Sequence, residues 1–364
     1  MTTADRGRPR RRLRCPICAD DFDWPEDSAI SLYDEENSRY ESVDVSGLPE
    51  IKRADLARKG YRRCPNPSAD TAEHYLPATY ADYGDPLVVG LVGAPASGKT
   101  HLLTAMVRQV HLNGLAAHGI TAAPLDFRRH ENFRKQFIKP FEEGGTLPGT
   151  STGIVEAADI LLLRGPGGER PVTFFDVAGE DLENTAARNR ATRFLVGATA
   201  VVFVHATEDP LETGQSAPPS ENLSFNLAVE RLRGLPGGSG LPAVIAVTKS
   251  DRLRYVPPVD RWLRRGDERV VDAARIRAES RDAYAYLHHV GAGASLRPFE
   301  AFTRCTLHFV SASGGDAVVT DPADPSKKHF PRGFRPTRAL EPLVSILAMT
   351  GMITGPEAER VGMP

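Results

Sequence analysis

From Leu87 onward the chain alternates short apolar runs with longer stretches whose apolar residues recur every three or four positions. The runs at 87–92, 158–163, 172–177, 200–205, 243–247 and 306–311 are rich in Val, Ile, Leu or Phe and bounded by turn residues. That is the pattern of strands buried on both faces. Helical spacing predicts helices over 101–111, 189–195, 222–233, 267–289 and 337–349. Strands alternating with helices predict an α/β fold: a mostly parallel, doubly wound sheet with helices on both faces. The runs 160–163 and 172–177 flank Gly165-Pro166-Gly167-Gly168, which predicts one antiparallel hairpin at an edge of that sheet.

The region before Leu87 reads differently. Residues 1–13 read as a disordered basic arm. Residues 14–80 are polar and poor in apolar side chains, so they cannot build a substantial core unaided. The main domain is expected over 85–352. The polar Gly/Pro-rich stretches 207–220, 236–241, 291–298 and 316–336 are read as loops or insertions on that one domain. There is no internal repeat.

Composition narrows the class. The 364 residues are 41% hydrophobic and 25% charged, as in soluble globular proteins, and the net charge of −2 gives no global pull toward nucleic acid or anionic lipid. No apolar run approaches the length of a membrane span, and the basic N-terminus is not followed by the apolar region of a secretory signal. With only four cysteines, Cys15, Cys18, Cys64 and Cys305, a reducing, cytoplasmic location is expected. Arg6, Arg8, Arg10, Arg11, Arg12 and Arg14 fall within nine residues. Such a run can touch nucleic acid or acidic lipid, but no aromatic residues interleave with it, which favours a solvated arm.

Between the predicted strand 87–92 and the helix after it lies Gly93-Ala94-Pro95-Ala96-Ser97-Gly98-Lys99-Thr100, the G-x-x-x-x-G-K-[ST] phosphate-binding loop. Glycines allow the tight turn that points backbone N–H groups at phosphate oxygens. Lys99 then reaches the β- and γ-phosphates and the Thr100 hydroxyl ligates Mg²⁺. The nucleotide-contacting set expected here is Gly93, Ala96, Ser97, Gly98, Lys99, Thr100 and His101. No second phosphate-binding loop occurs. Asp176-Val177-Ala178-Gly179 is a D-x-x-G at a strand end, where Asp176 can hold Mg²⁺ and the Gly179 N–H can meet the γ-phosphate. Thr248-Lys249-Ser250-Asp251 is an [NT]-K-x-D at another strand end. The Asp251 carboxylate can accept the N1 and N2 hydrogens of guanine, a donor pair adenine lacks, while the Lys249 stem covers the base. Ser311-Ala312-Ser313, after a further apolar strand, offers backbone N–H groups to guanine O6.

These four motifs, in this order at these strand ends, resemble the Ras-like and translation-factor class of small GTPases over about residues 87–315. The chain as a whole is similar to the bacterial double-GTPase family, on Cys15-Pro16-Ile17-Cys18, His74-Tyr75-Leu76-Pro77 and Asp176-Val177-Ala178-Gly179-Glu180. The resemblance implies a six-stranded fold, GTP and GDP as ligands, Mg²⁺, switching loops and a protein effector or activator. It also implies a switch threonine that meets Mg²⁺. Thr152 fits the spacing best, Thr150 is an alternative, and Thr146 is farther off. Small GTPases of this class usually carry Gln after D-x-x-G, where it orients the attacking water. Here Glu180 stands in that place, followed by Asp181. A carboxylate is repelled by the γ-phosphate yet can still accept a hydrogen bond from water, which implies slow GTP hydrolysis with Lys99 and Glu180 as catalytic residues. Arg188, Arg190 and Arg193 on the next predicted helix either add positive charge to the site or are solvated.

Cys15-Pro16-Ile17-Cys18 has zinc-knuckle spacing. With Cys64 and His74 it would complete a Cys₃His set for a structural Zn²⁺ that holds the core-poor module together. The second knuckle is incomplete, because Cys64-Pro65-Asn66-Pro67 lacks a second cysteine. A redox dithiol at Cys15 and Cys18, or unremarkable thiols, are the alternatives. Cys305 is expected to be buried packing. The remaining histidines, His288-His289 included, show no ligand spacing and read as helix-end or surface residues.

Overall fold

The computed structural model describes residues 11–25, 29–69, 71–148, 157–176, 195–207, 223–324 and 327–363. The described residues begin with a hairpin of β1 (Arg12–Arg14) and β2 (Asp21–Asp23). A small antiparallel sheet follows, built from β3 (Ala29–Asp34), β4 (Arg39–Asp44), β5 (Tyr61–Arg63) and β6 (Tyr75–Pro77), with α1 (Glu50–Lys59) between β4 and β5 in sequence. Then come β7 (Leu87–Val92), α2 (Lys99–His111), β8 (Thr121–Pro124), α3 (Phe127–Phe133), β9 (Ala157–Gly165), β10 (Gly168–Asp176) and β11 (Ala200–Ala206). They are followed by α4 (Leu223–Arg233), β12 (Ala243–Thr248), α5 (Ala273–His289), β13 (Cys305–Phe309) and α6 (Glu341–Met349).

Strands β7 to β13 form one sheet in the order β13-β12-β11-β7-β10-β9-β8. The pairs from β13 through β10 are parallel, and β9 runs antiparallel to both β10 and β8. The continuous apolar runs follow from burial on both faces. Leu87, Val89 and Leu91 of β7 pack with Leu102, Leu103 and Met106 of α2 and with Leu343, Ile346 and Leu347 of α6. The intervening Val88 and Val92 face the other way, in a cluster with Phe225 and Val229 of α4 and Leu287 of α5. The architecture is therefore mixed α/β, a multi-stranded sheet flanked by helices.

Several boundaries differ from the sequence expectation, each for a local reason. The sheet has a seventh strand, β8, outside β9, so the hairpin is not at the edge. β8 reads Thr121-Ala122-Ala123-Pro124 and is partly exposed, so no apolar run marks it. The expected helix 267–289 starts at Ala273, because the Asp272 side chain accepts from Arg275 N at 2.9 Å and caps it. The expected helix 337–349 starts at Glu341. Thr337 is bridged to Ser311, and Arg338 has φ 57°, a left-handed conformation no helix admits. The predicted helix 189–195 lies outside the described residues except for Leu195. The disordered reading of 1–13 is corrected at its end: Arg12 and Leu13 belong to β1, and Arg11 Nη1 donates to Ala81 O at 2.6 Å. Arg14 pairs with Asp21 at 2.9 Å.

The N-terminal region draws its core from the main sheet. Leu13, Phe22, Trp24, Leu76 and Tyr80 share a cluster with Val88 and Phe175. The four-stranded sheet buries little of its own, essentially Ile30, Val45 and Ala78, and α1 buries no residue. Besides the apolar contact through Leu76, the sheet has a polar link to the rest. Tyr61 Oη donates to Asp126 Oδ1 at 2.8 Å, and the same carboxylate caps α3. No helix among the described residues is long and apolar enough to cross a membrane.

A buried ionic cluster locks β13 between α5 and α6. Glu279 of α5, 1% exposed, accepts from His308 Nδ1 at 2.8 Å, Arg338 Nη2 at 2.7 Å and Phe309 N at 3.1 Å. His308 Nε2 meets Ser345 Oγ of α6 at 2.8 Å. Removing one partner of such a set leaves a charge buried without its counter-ion. Glu279→Ala should therefore cost about 3–5 kcal/mol in urea unfolding, with Glu279→Gln milder. A loss below about 1 kcal/mol for the alanine variant would show the cluster to be a bystander.

Candidate functional site

β7 lies between β11 and β10, and residues 93–98 carry the chain from its end into α2. The path demands a small residue at its start: a Cβ on Gly93 would sit 2.4 Å from Val204 O. Ala96 at φ 58° and Gly98 at φ 88° are left-handed. Alternating such residues with ordinary ones turns successive N–H groups to one side, an arrangement that receives anions. Lys99 is 5% exposed, and its Nζ donates to Gly93 O at 2.8 Å and Ala94 O at 3.0 Å, so a desolvated ammonium lies over the loop. Thr100 Oγ1 donates to Asp176 Oδ2 at 2.5 Å. The two side chains expected to share a cation thus meet, one from the start of α2 and one from the end of β10. Ser97 is also buried, and its Oγ has no hydrogen-bond partner among the described residues.

The second motif is stitched to the first. Thr248 at the end of β12 donates from Oγ1 to Ser97 O at 2.6 Å. Lys249 follows in a left-handed conformation at φ 55°, with burial lowering its ammonium pKa. Asp251 is 8% exposed, and its Oδ1 accepts from Ser311 Oγ at 2.5 Å. Ser311 in turn accepts from Gly314 N at 2.9 Å. The carboxylate is therefore aimed by the third motif, which starts beyond β13.

One cavity of about 490 Å³ collects these elements. Its wall contains Ala96, Ser97, Gly98, Lys99, Thr100 and His101 from the loop and α2, Thr248, Lys249 and Asp251 from the β12 end, and Ala312 and Ser313 from the β13 end. Gly93 and Ser311 stand behind the wall and shape it. The cavity size is that of small-molecule sites. Gly179, Glu180 and Asp181, Thr150 and Thr152, and Arg188, Arg190 and Arg193 lie outside the described residues. Thr146, the farther switch alternative, is in the wall, with its Oγ1 donating to Lys328 O at 3.4 Å.

Sequence reasoning missed part of the wall. Leu147, Pro148, Arg252, Asp316, Lys328 and Phe330 also line the cavity. Asp316, Lys328 and Phe330 belong to the stretch read as an insertion, whose few apolar residues form no periodic pattern. That stretch carries a two-residue hairpin, Val318–Val319 with Lys328–His329, and Arg252 Nε pairs with Asp316 Oδ1 across it at 2.7 Å. Phe330 then lies edge-on to His101, ring centroids 5.8 Å apart.

Among the described residues, two groups of side chains are spaced to hold a metal ion. In the first, one ligand atom each from Cys15, Cys18, Cys64 and His74 lies within 4.8 Å of the others. Cys15 Sγ is 3.2 Å from His74 Nε2, and Cys18 Sγ is 3.8 Å from Cys64 Sγ. His74 Nδ1 contacts Ala72 O at 2.8 Å, which fixes the proton there and leaves Nε2 facing the sulfurs. Ile17 N and Asn66 N donate to Cys15 Sγ and Cys64 Sγ at 3.3 and 3.4 Å. Hydrogen bonds from the neighbouring thiols push Cys64 down to about 4, while burial pushes Cys15 up. Cys305 is buried elsewhere, its thiol also pushed up by burial. The second group, His111, His130 and Asp159, was not foreseen: His111 does stand at a helix end, as read from the sequence, but it meets His130 and the buried Asp159 there. His308 is wholly buried as well, whereas His288 and His289 are exposed at the end of α5 as expected. Residues brought together from three elements leave no spacing signal in sequence.

No protein-family model matches the chain, and comparison with curated proteins finds no match.

His101 gives the site a pH signature. Leu147 N donates to its Nε2 at 3.2 Å, and burial, with a smaller contribution from the Lys249 charge, pushes its pKa down to about 4. The unfolded ring titrates near 6.5, so the unfolded chain takes up the proton first. Stability contributed by the neutral ring is complete above pH 6.5 and drains away as the pH falls toward 4, by on the order of 3 kcal/mol. His101→Gln should lack that acid loss in denaturant unfolding at a series of pH values. Parallel curves for the two proteins would contradict this account.

Proposed function

We propose that this protein is a guanine-nucleotide switch, similar to the small GTPases, that binds GTP and GDP with Mg²⁺ and hydrolyses GTP slowly. The observation that carries the reading is the convergence of three strand-end motifs on one cavity. The phosphate loop sits at one strand end, the Asp251 carboxylate at a second, and the Ser311-Ala312-Ser313 turn that orients it at a third. In this reading the loop N–H groups and Lys99 hold the phosphates, and Asp251 receives guanine N1 and N2 hydrogens. Lys249 covers the base, and Ala312 and Ser313 face O6. Thr100 and Asp176 are hard oxygen donors brought together in one hydrogen bond, the donor type Mg²⁺ takes, and that bond would open to admit the ion. When bound, the ion neutralises phosphate charge. The segments around Thr152 and Gly179 answer to the γ-phosphate and are read by a protein effector or activator.

Glu180 supports slow turnover, since a carboxylate next to the γ-phosphate orients water less well than an amide. The same residue favours a second reading, a nucleotide-binding scaffold without significant hydrolysis. A P-loop ATPase is disfavoured by Asp251, which would face the adenine edge with no donor pair. The Cys15, Cys18, Cys64 and His74 set fits a structural Zn²⁺. Its three thiols and one oriented imidazole are the donors zinc takes, and the module around it has little core.

Calorimetry with Mg²⁺ tests the base. GDP and GTP should bind at least about 1,000-fold tighter than ATP, and Asp251→Asn should lose roughly 100-fold for GDP while gaining xanthosine diphosphate. Equal affinity for adenosine and guanosine nucleotides would end the proposal. Multiple-turnover phosphate release separates switch from scaffold. Single-turnover rates of Glu180→Gln and Glu180→Ala equal to wild type would remove Glu180 from the mechanism. For the module, purified wild-type protein should carry zinc that Cys64→Ser and His74→Ala lose. Unchanged zinc in both would dismiss this ligand set.

A further inference from the structure

We propose that His111, His130 and Asp159 form a second, thiolate-free site for a divalent transition-metal ion of the Zn²⁺, Co²⁺ or Ni²⁺ class. The three residues come from different elements: the last residue of α2, the middle of α3 and the start of β9. One ligand atom from each lies within 4.8 Å of the other two.

The geometry is that of a three-ligand site. Asp159 is wholly buried. Its Oδ1 is held by Ile160 N at 2.8 Å, which leaves Oδ2 facing the histidines. His130 Nδ1 lies 2.8 Å from that Oδ2, and His111 Nε2 lies 4.0 Å from it. Two ligands of a tetrahedral ion, each about 2.1 Å from the metal, stand about 3.4 Å apart. The two observed separations bracket that value, so small rotations of the rings suffice.

The hydrogen-bonding balance points the same way. A His130–Asp159 pair is complete without His111. Yet His111 Nε2 is buried beside it with no hydrogen-bond partner among the described residues. An unsatisfied buried nitrogen of this kind is costly, and a metal ion would satisfy it. The two imidazole rings have centroids 4.0 Å apart at 39°, both beside the carboxylate. Two imidazoles and one carboxylate suit borderline ions rather than Mg²⁺ or Ca²⁺, which take oxygen cages. Location adds to this, because a cation at the last turn of α2 meets the negative end of that helix. Three protein ligands leave a fourth position for water or a small ligand. The His111 side chain is 21% exposed and that of His130 12%, so the position has a route to solvent.

The test uses the full-length chain, with cobalt as probe and with Zn²⁺ counted by elemental analysis. Wild-type protein should take up one ion beyond any held by the cysteines, and that additional cobalt should show no thiolate charge-transfer band. His111→Gln keeps the His130–Asp159 hydrogen bond and substitutes the most exposed member, so it should fold. It should lower the count by one and weaken cobalt binding at this site at least about 100-fold, with any thiolate band unchanged. Asp159→Asn should do the same. A wild-type chain that binds no cobalt beyond the thiolate-bound ion overturns the proposal without recourse to a variant. So does a folded His111→Gln protein with the wild-type count.

Discussion

Parallel pairing of β12, β11, β7 and β10 is the constraint from which the site follows. Parallel strands can be joined only by crossovers, and the crossovers deliver every strand's carboxyl end to the same edge of the sheet. Residues that are 76 positions apart, Thr100 and Asp176, therefore come within a hydrogen bond, as do Ser97 and Thr248, 151 positions apart. Both faces of these strands are covered by helices. The described loops at that edge are held at their roots by a close-packed core, which fixes side-chain positions that no isolated loop would hold.

The wall of the cavity shows how such an edge fixes a side chain in place. Asp251 is aimed by Ser311, which is itself held by Gly314, so the carboxylate is set by a chain of contacts reaching across β13. Over it folds the segment that carries Asp316, Lys328 and Phe330. That segment reaches back to His101 in the first turn of α2, so base-side and phosphate-side walls share contacts.

The N-terminal region solves a different problem. With three buried apolar residues to itself, its four-stranded sheet leans on two outside supports. One is the face of the large sheet, against which Trp24 and Tyr80 pack beside Val88 and Phe175. The other is the Cys15, Cys18, Cys64 and His74 cluster, where three thiols and an imidazole crowd together. The Tyr61–Asp126 hydrogen bond adds a polar tie to the capped start of α3.

Strong local patterns were legible in the sequence: the buried strands, whose apolar runs need no context, the helices between them, and the loop motif, whose small residues are dictated by backbone conformation. The knuckle pair Cys15 and Cys18 was legible for the same reason. Edge strand β8 was not, because a half-exposed strand of Thr, Ala and Pro buries too little to leave a pattern. Nor were the starts of α5 and α6, which are set by the Asp272 cap and by Thr337 joining Ser311. The sequence alone thus determined the mixed α/β class and picked out the strand-end motifs that line one cavity. The tertiary structure alone decided that Phe330 and Asp316 close the cavity and that His111, His130 and Asp159 meet. Contacts between distant segments depend on how helices cross a sheet, and that is set by the packing of the whole core, not by the spacing of residues along the chain.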